Sequence, residues 1–296
     1  MATKNPVIAR AEKAYAEQAA PAAGQTPAAP GQVQGGPGTL PPGSPADLQA
    51  NFDQQARAGG STAAMTLHDV IMKSLLLFGV LVVVSIISWT ISAASPGMGM
   101  VFLIVGLIGG LVLGLVNAFK KQVSPPLVIA YAAFQGLLVG GISYWYQGFG
   151  EQYGMGNIVA VAIISTFVVF AVMLALYSKR IIKVTNKFKK IMTVALVSYL
   201  GLIVVAGITW FIRSLTGGAE GQMFLFGNGP FGIIISVIVV ALAAFTLCMD
   251  FDAIEQGINY GVPERESWRM GFGLLVSLIW LYLEILRLLA IVASNR

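Results

Sequence analysis

The stretch WRMGFGLLVSLIWLYLEILRLLAIV, residues 268–292, decides the fold. Only three of its residues carry charge: Arg269, Glu284 and Arg287. A helix rises about 1.5 Å per residue, so this run exceeds the ~20 residues needed to cross a ~30 Å hydrocarbon layer. Six more runs read the same way, at 70–94, 97–119, 126–147, 157–178, 191–212 and 229–250. The pattern predicts an all-α integral membrane protein with seven transmembrane helices. It divides the chain into a tail, 1–64, and a membrane domain, 65–296.

Composition agrees. The chain is 56% hydrophobic and 10% charged, with a mean hydropathy of +0.78. Soluble domains carry roughly 25% charged residues. A net charge of +5 would suit nucleic acid, but the cations sit where membrane topology places them, so no nucleic-acid partner is expected. A lone cysteine, Cys248, cannot close an intrachain disulfide, and a lone histidine, His68, cannot build a multi-histidine metal site within one chain. The first apolar run starts only near Val70, so no cleavable signal peptide is expected.

The tail is Ala, Pro, Gly and Gln with few large apolar side chains, so it reads as disordered. Residues 6–20 form at most a transient helix. The tail is either a flexible cytoplasmic leader or a segment that docks a partner. Order starts at Thr66, where Thr66 and Asp69 make a capping box for the first helix. His68 then falls at the water–lipid boundary.

Orientation follows from the connections. Lys120 and Lys121 follow the second helix. Lys179, Arg180, Lys183, Lys187, Lys189 and Lys190 follow the fourth, and Arg265 and Arg269 follow the sixth. The other three connections carry only Arg213. Positive loops stay in the cytoplasm, which puts the N-terminus inside and the C-terminus outside. Trp89, Trp145 and Trp210 fall at the expected outer boundary and Trp268 at the inner one. The basic loop 179–190 reads as a topology determinant that also meets lipid head groups. Gly106, Gly110 and Gly114, and again Gly136 and Gly140, recur every four residues, a spacing that lets helix backbones approach in lipid. Pro125 and Pro126 open the third helix, where a missing N–H costs little.

No HExxH, GxSxG or Walker A motif occurs, so no enzyme and no resident cofactor are expected. The notable charges are Asp250, Asp252 and Glu255 at the end of helix six, and Glu284 and Arg287 inside helix seven. Charges at membrane depth are expensive and usually face a partner or a watery cavity. At 100° per residue, Asp250 and Asp252 point about 200° apart. Asp252 and Glu255 share a face expected to meet solvent, which leaves Asp250 as the buried group. Glu284 and Arg287 are three apart and can pair.

The block LCMDFDAIEQGINYGVPERESWRMGFGLLVSLIWLYLEILRLLAIVAS, 247–294, resembles the C-terminal signature of the Bax inhibitor-1/YccA family, in its bacterial branch with long polar tails. The run PLVIAYAAFQGLLVGGISYWY, 126–146, resembles that family's third helix. The resemblance covers roughly 66–294. It implies a central seventh helix wrapped by the other six, and a pH-dependent calcium leak gated by two proton-sharing aspartates on helices six and seven. Asp250 matches the first. The register puts Ser277 in the place of the second, with Glu284 two turns on as a candidate substitute. Gln135 stands where many relatives carry an acid.

Two neighbouring carboxylates in a low-dielectric site cannot both ionise cheaply. Sharing a proton would hold helices six and seven together, and losing it would separate them or admit a cation. Carboxylate oxygens suit Ca²⁺, so Asp250 is also the candidate contact for a transient calcium ion. Three readings follow: a cation leak tuned through Asp250, a non-transporting regulator of another membrane protein such as a quality-control protease, and a proton-coupled transporter. Broken helices and inverted repeats, the marks of the third, are not evident. The expected location is a bacterial plasma membrane.

Overall fold

The computed structural model describes residues 63–216 and 230–295. Among them the chain forms seven long helices: α1 (Leu67–Ala94), α2 (Pro96–Phe119), α3 (Pro125–Gln152), α4 (Ile158–Ser178), α5 (Asn186–Thr216), α6 (Pro230–Asn259) and α7 (Ser267–Ser294). All seven contain a stretch long and apolar enough to cross a membrane. The tail to residue 62, the expected transient helix at 6–20, and the side chains of Trp210 and Arg213 lie outside the described residues.

The capping box is present. The Thr66 N–H donates to Asp69 Oδ2 at 3.0 Å, and the Asp69 N–H donates to Thr66 Oγ1 at 3.2 Å. Several helices overrun their apolar cores: α3 continues to Gln152, α5 starts at Asn186 and α6 continues to Asn259. Apolarity marks the hydrocarbon thickness, whereas backbone hydrogen bonding carries a helix on into water. Helix α6 stops through Gly261, whose positive φ of 61° lets Gly261 N–H reach Ile258 O and Val262 N–H reach Gly257 O. Helix α4 stops the same way with Arg180 in that position, at φ 58°, a conformation that non-glycine residues seldom adopt.

Helix α7 lies between two cores. On one side its Leu278, Leu281 and Ile285 pack with Ile158 and Ala162 of α4 and Leu247 and Phe251 of α6. On the other, Leu275 and Ile279 pack with Leu77 of α1 and Val128 of α3. The expected wrapping of α7 by all six others therefore needs correction: α1, α3, α4 and α6 surround it, α2 packs on α1 and α3, and α5 packs on α6 and reaches α7 through the side chain of Tyr199.

The reason is visible in α2, whose polarity is inverted relative to a soluble helix. Its buried residues are Gly99, Gly106, Gly110 and Asn117, while Leu107, Ile108, Leu111 and Val112 face outward. Lipid rewards the outward apolar face, and small residues admit a neighbouring backbone. A Cβ on Gly106 would lie 2.5 Å from Leu138 N of α3, and one on Gly140 would lie 2.3 Å from Ser85 O of α1.

One feature had no sequence signal. The segment before α1 is stitched to the turn between α6 and α7. Ala64 bridges Pro263 in antiparallel fashion, Met65 N–H donates to Val262 O at 2.8 Å, and Glu264 N–H donates to Ala63 O at 2.8 Å. Met65 is buried over Gly257 and Met270. Lys73 of α1 adds an ion pair to Glu264 at 2.9 Å, with its ammonium 6.0 Å from the Trp268 ring centre.

Candidate functional site

Asp250 stands where α6 meets α7. Its Oδ1 is 3.5 Å from where a Cβ on Gly273 would sit, and the Ser277 hydroxyl faces its carboxylate. Gly273 and Ser277 are one helical turn apart, so α7 presents two small residues to this carboxylate. Asp250 Oδ2 is buried and has no hydrogen-bond partner among the described residues. A carboxylate that shares no cation at this depth is an uncommon arrangement, because burying a charge is expensive unless it is paired or protonated.

Ser277 thus occupies the α7 position opposite Asp250, which is where the resemblance puts a second aspartate. Glu284 is not brought to that position. Seven residues further along α7, about 10 Å by the helical rise, Glu284 is held by other groups. Its carboxylate pairs with Arg287 Nη1 at 3.3 Å, accepts from Trp280 Nε1 at 3.3 Å, and accepts from the Tyr199 hydroxyl of α5. Arg287 donates to Ser236 Oγ of α6 at 3.0 Å. The Tyr199 and Trp280 rings stack with centroids 5.5 Å apart. The i, i+3 pairing of Glu284 with Arg287 was legible. Tyr199, from a helix that otherwise rests on α6, was not.

Gln135 is likewise not brought to Asp250. Its amide packs on Gly110 of α2, beside Tyr131, and its Oε1 is buried without a hydrogen-bond partner among the described residues.

Asp252 and Glu255 correct a second expectation: their face meets the basic loop instead of open solvent. Asp252 pairs with Lys189 at 2.6 Å and accepts from Gln256 at 2.5 Å. Glu255 accepts from the Tyr177 hydroxyl and pairs with Arg180, the residue held in the left-handed conformation. Two of the six loop cations therefore fasten the α4–α5 connection to α6, while Lys179, Lys183, Lys187 and Lys190 stay exposed. Exposed pairs of this kind are worth ~0–1 kcal/mol each, so they set where the loop lies more than how stable the fold is. Asp252→Asn with Glu255→Gln should leave the fold intact and speed tryptic cleavage within 179–190 several-fold in the purified protein. Cleavage at the wild-type rate would show that the loop is ordered by something else.

These observations define a class first: a seven-helix membrane protein in which Asp250, between the last two helices, makes no ion pair among the described residues. The family model described as Bax inhibitor 1 like matches residues 5–294, and the chain belongs to that family. The match begins well inside the tail, so the family likeness extends further toward the N-terminus than the 66–294 read from the motifs. Comparison with curated proteins gave no match.

Proposed function

We propose that the protein is a pH-sensitive cation leak, most readily for calcium, in a bacterial plasma membrane, with its N-terminus in the cytoplasm and Asp250 as the gating group. One observation carries the reading: a carboxylate with an unengaged oxygen, Asp250 Oδ2, set against the small residues Gly273 and Ser277 at the contact of α6 with α7. Neutral, the carboxyl group can share the Ser277 hydroxyl and let the helices close. Charged, it needs water or a cation, and a hard oxygen ligand favours Ca²⁺. With serine opposite, one carboxylate does the work that the resemblance assigns to two. Arg287 and Glu284 neutralise each other and serve as a fixed strut.

The test is calcium flux into liposomes holding the purified protein between pH 6 and 8. Wild type should leak in a pH-dependent manner, and Asp250→Asn should abolish that dependence. Flux equal to that of empty vesicles at every pH would sink the proposal.

A second reading, a non-transporting regulator of a membrane quality-control protease, is favoured by one finding. The family match includes most of the tail, and the root of the tail is stitched to the α6–α7 turn. Under that reading, deletion of residues 1–62 would remove partner capture and leave flux unchanged.

A further inference from the structure

Helices α1 and α4 do not close against each other. Between them a cavity of about 300 Å³ reaches inward to α3 and α7. Its rim is Val82 and Ile86 on α1 and Ile163 and Phe167 on α4, all exposed, and its floor includes Leu278 and Tyr282 of α7. The volume is about twice that of the ~150 Å³ apolar cavity that stays dry and takes up benzene.

We propose that this cavity binds one acyl chain of a bilayer phospholipid. Three observations select that occupant. The rim is continuous with the apolar, lipid-facing surface of α1 and α4, so the opening leads into the membrane. The lining is almost wholly apolar, which disfavours water. The polar groups present are mostly engaged: Ser143 and Tyr282 hydrogen-bond each other at 2.6 Å, and Thr166 donates to Ala162 O at 2.8 Å. Of the lining hydroxyls only Ser85 Oγ lacks a partner, too little to hold a head group. The chain would lie against Leu278, the residue following Ser277, and so on the flank of α7 adjoining the Asp250 contact. The site does not depend on ion conduction.

The full-length protein, in vesicles containing a trace of phospholipid with a photoactivatable diazirine at mid-chain, would be irradiated and its cross-links mapped by mass spectrometry. Labelling should concentrate on the floor, at Leu278 and Tyr282, several-fold above Val83 and Ile87, which face lipid on α1 outside the cavity. Val82→Trp and Ile163→Trp, made separately, fill the mouth from its exposed rim without entering the core. Each should reduce floor labelling at least several-fold while the melting temperature stays near that of wild type. Even labelling over the lipid-facing surface, or floor labelling unchanged in both folded variants, would overturn the proposal. If one variant fails to fold, the wild-type map and the other variant decide.

Discussion

Glu284→Gln should lower the unfolding temperature sharply in detergent, and Glu284→Gln with Arg287→Gln should recover most of the loss. Glu284 and Arg287 have side chains only 8% and 19% exposed, and they face each other at 3.3 Å. The substitution removes the negative charge 3.3 Å from the guanidinium and puts an amide donor beside it, while the retained Oε1 can still accept from Tyr199 and Trp280. Breaking a buried pair by deleting one partner costs ~3–5 kcal/mol, because the remaining charge stays desolvated, whereas removing both members is often close to neutral. Thermal unfolding of the four proteins of the cycle checks this. If the double variant were no more stable than Glu284→Gln, the pair would not be the strut described here. The liposome flux assay on the double variant separates Glu284 from gating, since that variant should keep whatever pH response Asp250 supplies.

Gly140→Ala is expected to be the second large effect, although it adds a single methyl group. That methyl would lie 2.3 Å from Ser85 O and 2.7 Å from Ser88 Cβ, and no rotamer relieves a clash with backbone. The helices must separate, which also strains the bond from Ser88 Oγ to Leu137 O at 2.8 Å. Overpacking of this kind costs about 1–3 kcal/mol, and more where the obstacle cannot move. Gly201→Ala in α5 is the control. Nothing lies within 4 Å of its Cβ position, so it should be neutral or gain ~0.5–1 kcal/mol from helix propensity. Comparable losses in the two variants would show that the glycine spacing reports general helix weakening and not helix contact.

Much of the fold could be read in advance because lipid imposes a simple rule: a span must be apolar over its whole thickness, whatever it later packs against. Seven runs, the Thr66–Asp69 box and the proline that opens α3 each depend on residues close in sequence. The ~200° between Asp250 and Asp252 is likewise a property of one helix and does not depend on the neighbours. What a face meets does depend on them. Asp252 and Glu255 were expected to point at solvent, and nothing in their own helix indicates that Lys189 and Arg180 fold over them. Lys73 looks like an ordinary boundary residue until Glu264, 191 positions later, is placed beside it. Glu284 was the candidate substitute for Ser277 opposite Asp250, because two helical turns keep those two α7 residues on a similar face. The helical rise carries Glu284 about 10 Å beyond Ser277, where Tyr199 claims it.

The stitch between residues 63–65 and 262–264 has a consequence for the order in which the molecule is made. Its two ends are separated by nearly the whole membrane domain, and closing so long a loop carries a large entropic cost that only later contacts recover. Synthesis runs from the N-terminus, so α1 waits unfastened while five more helices are inserted. The stitch closes only when the α6–α7 turn has emerged and α7 can enter between its two cores. A chain truncated before residue 262 cannot make it. The segment that closes last thus leaves the ribosome before any of the seven helices, and its closure reports that the α6–α7 turn is in place.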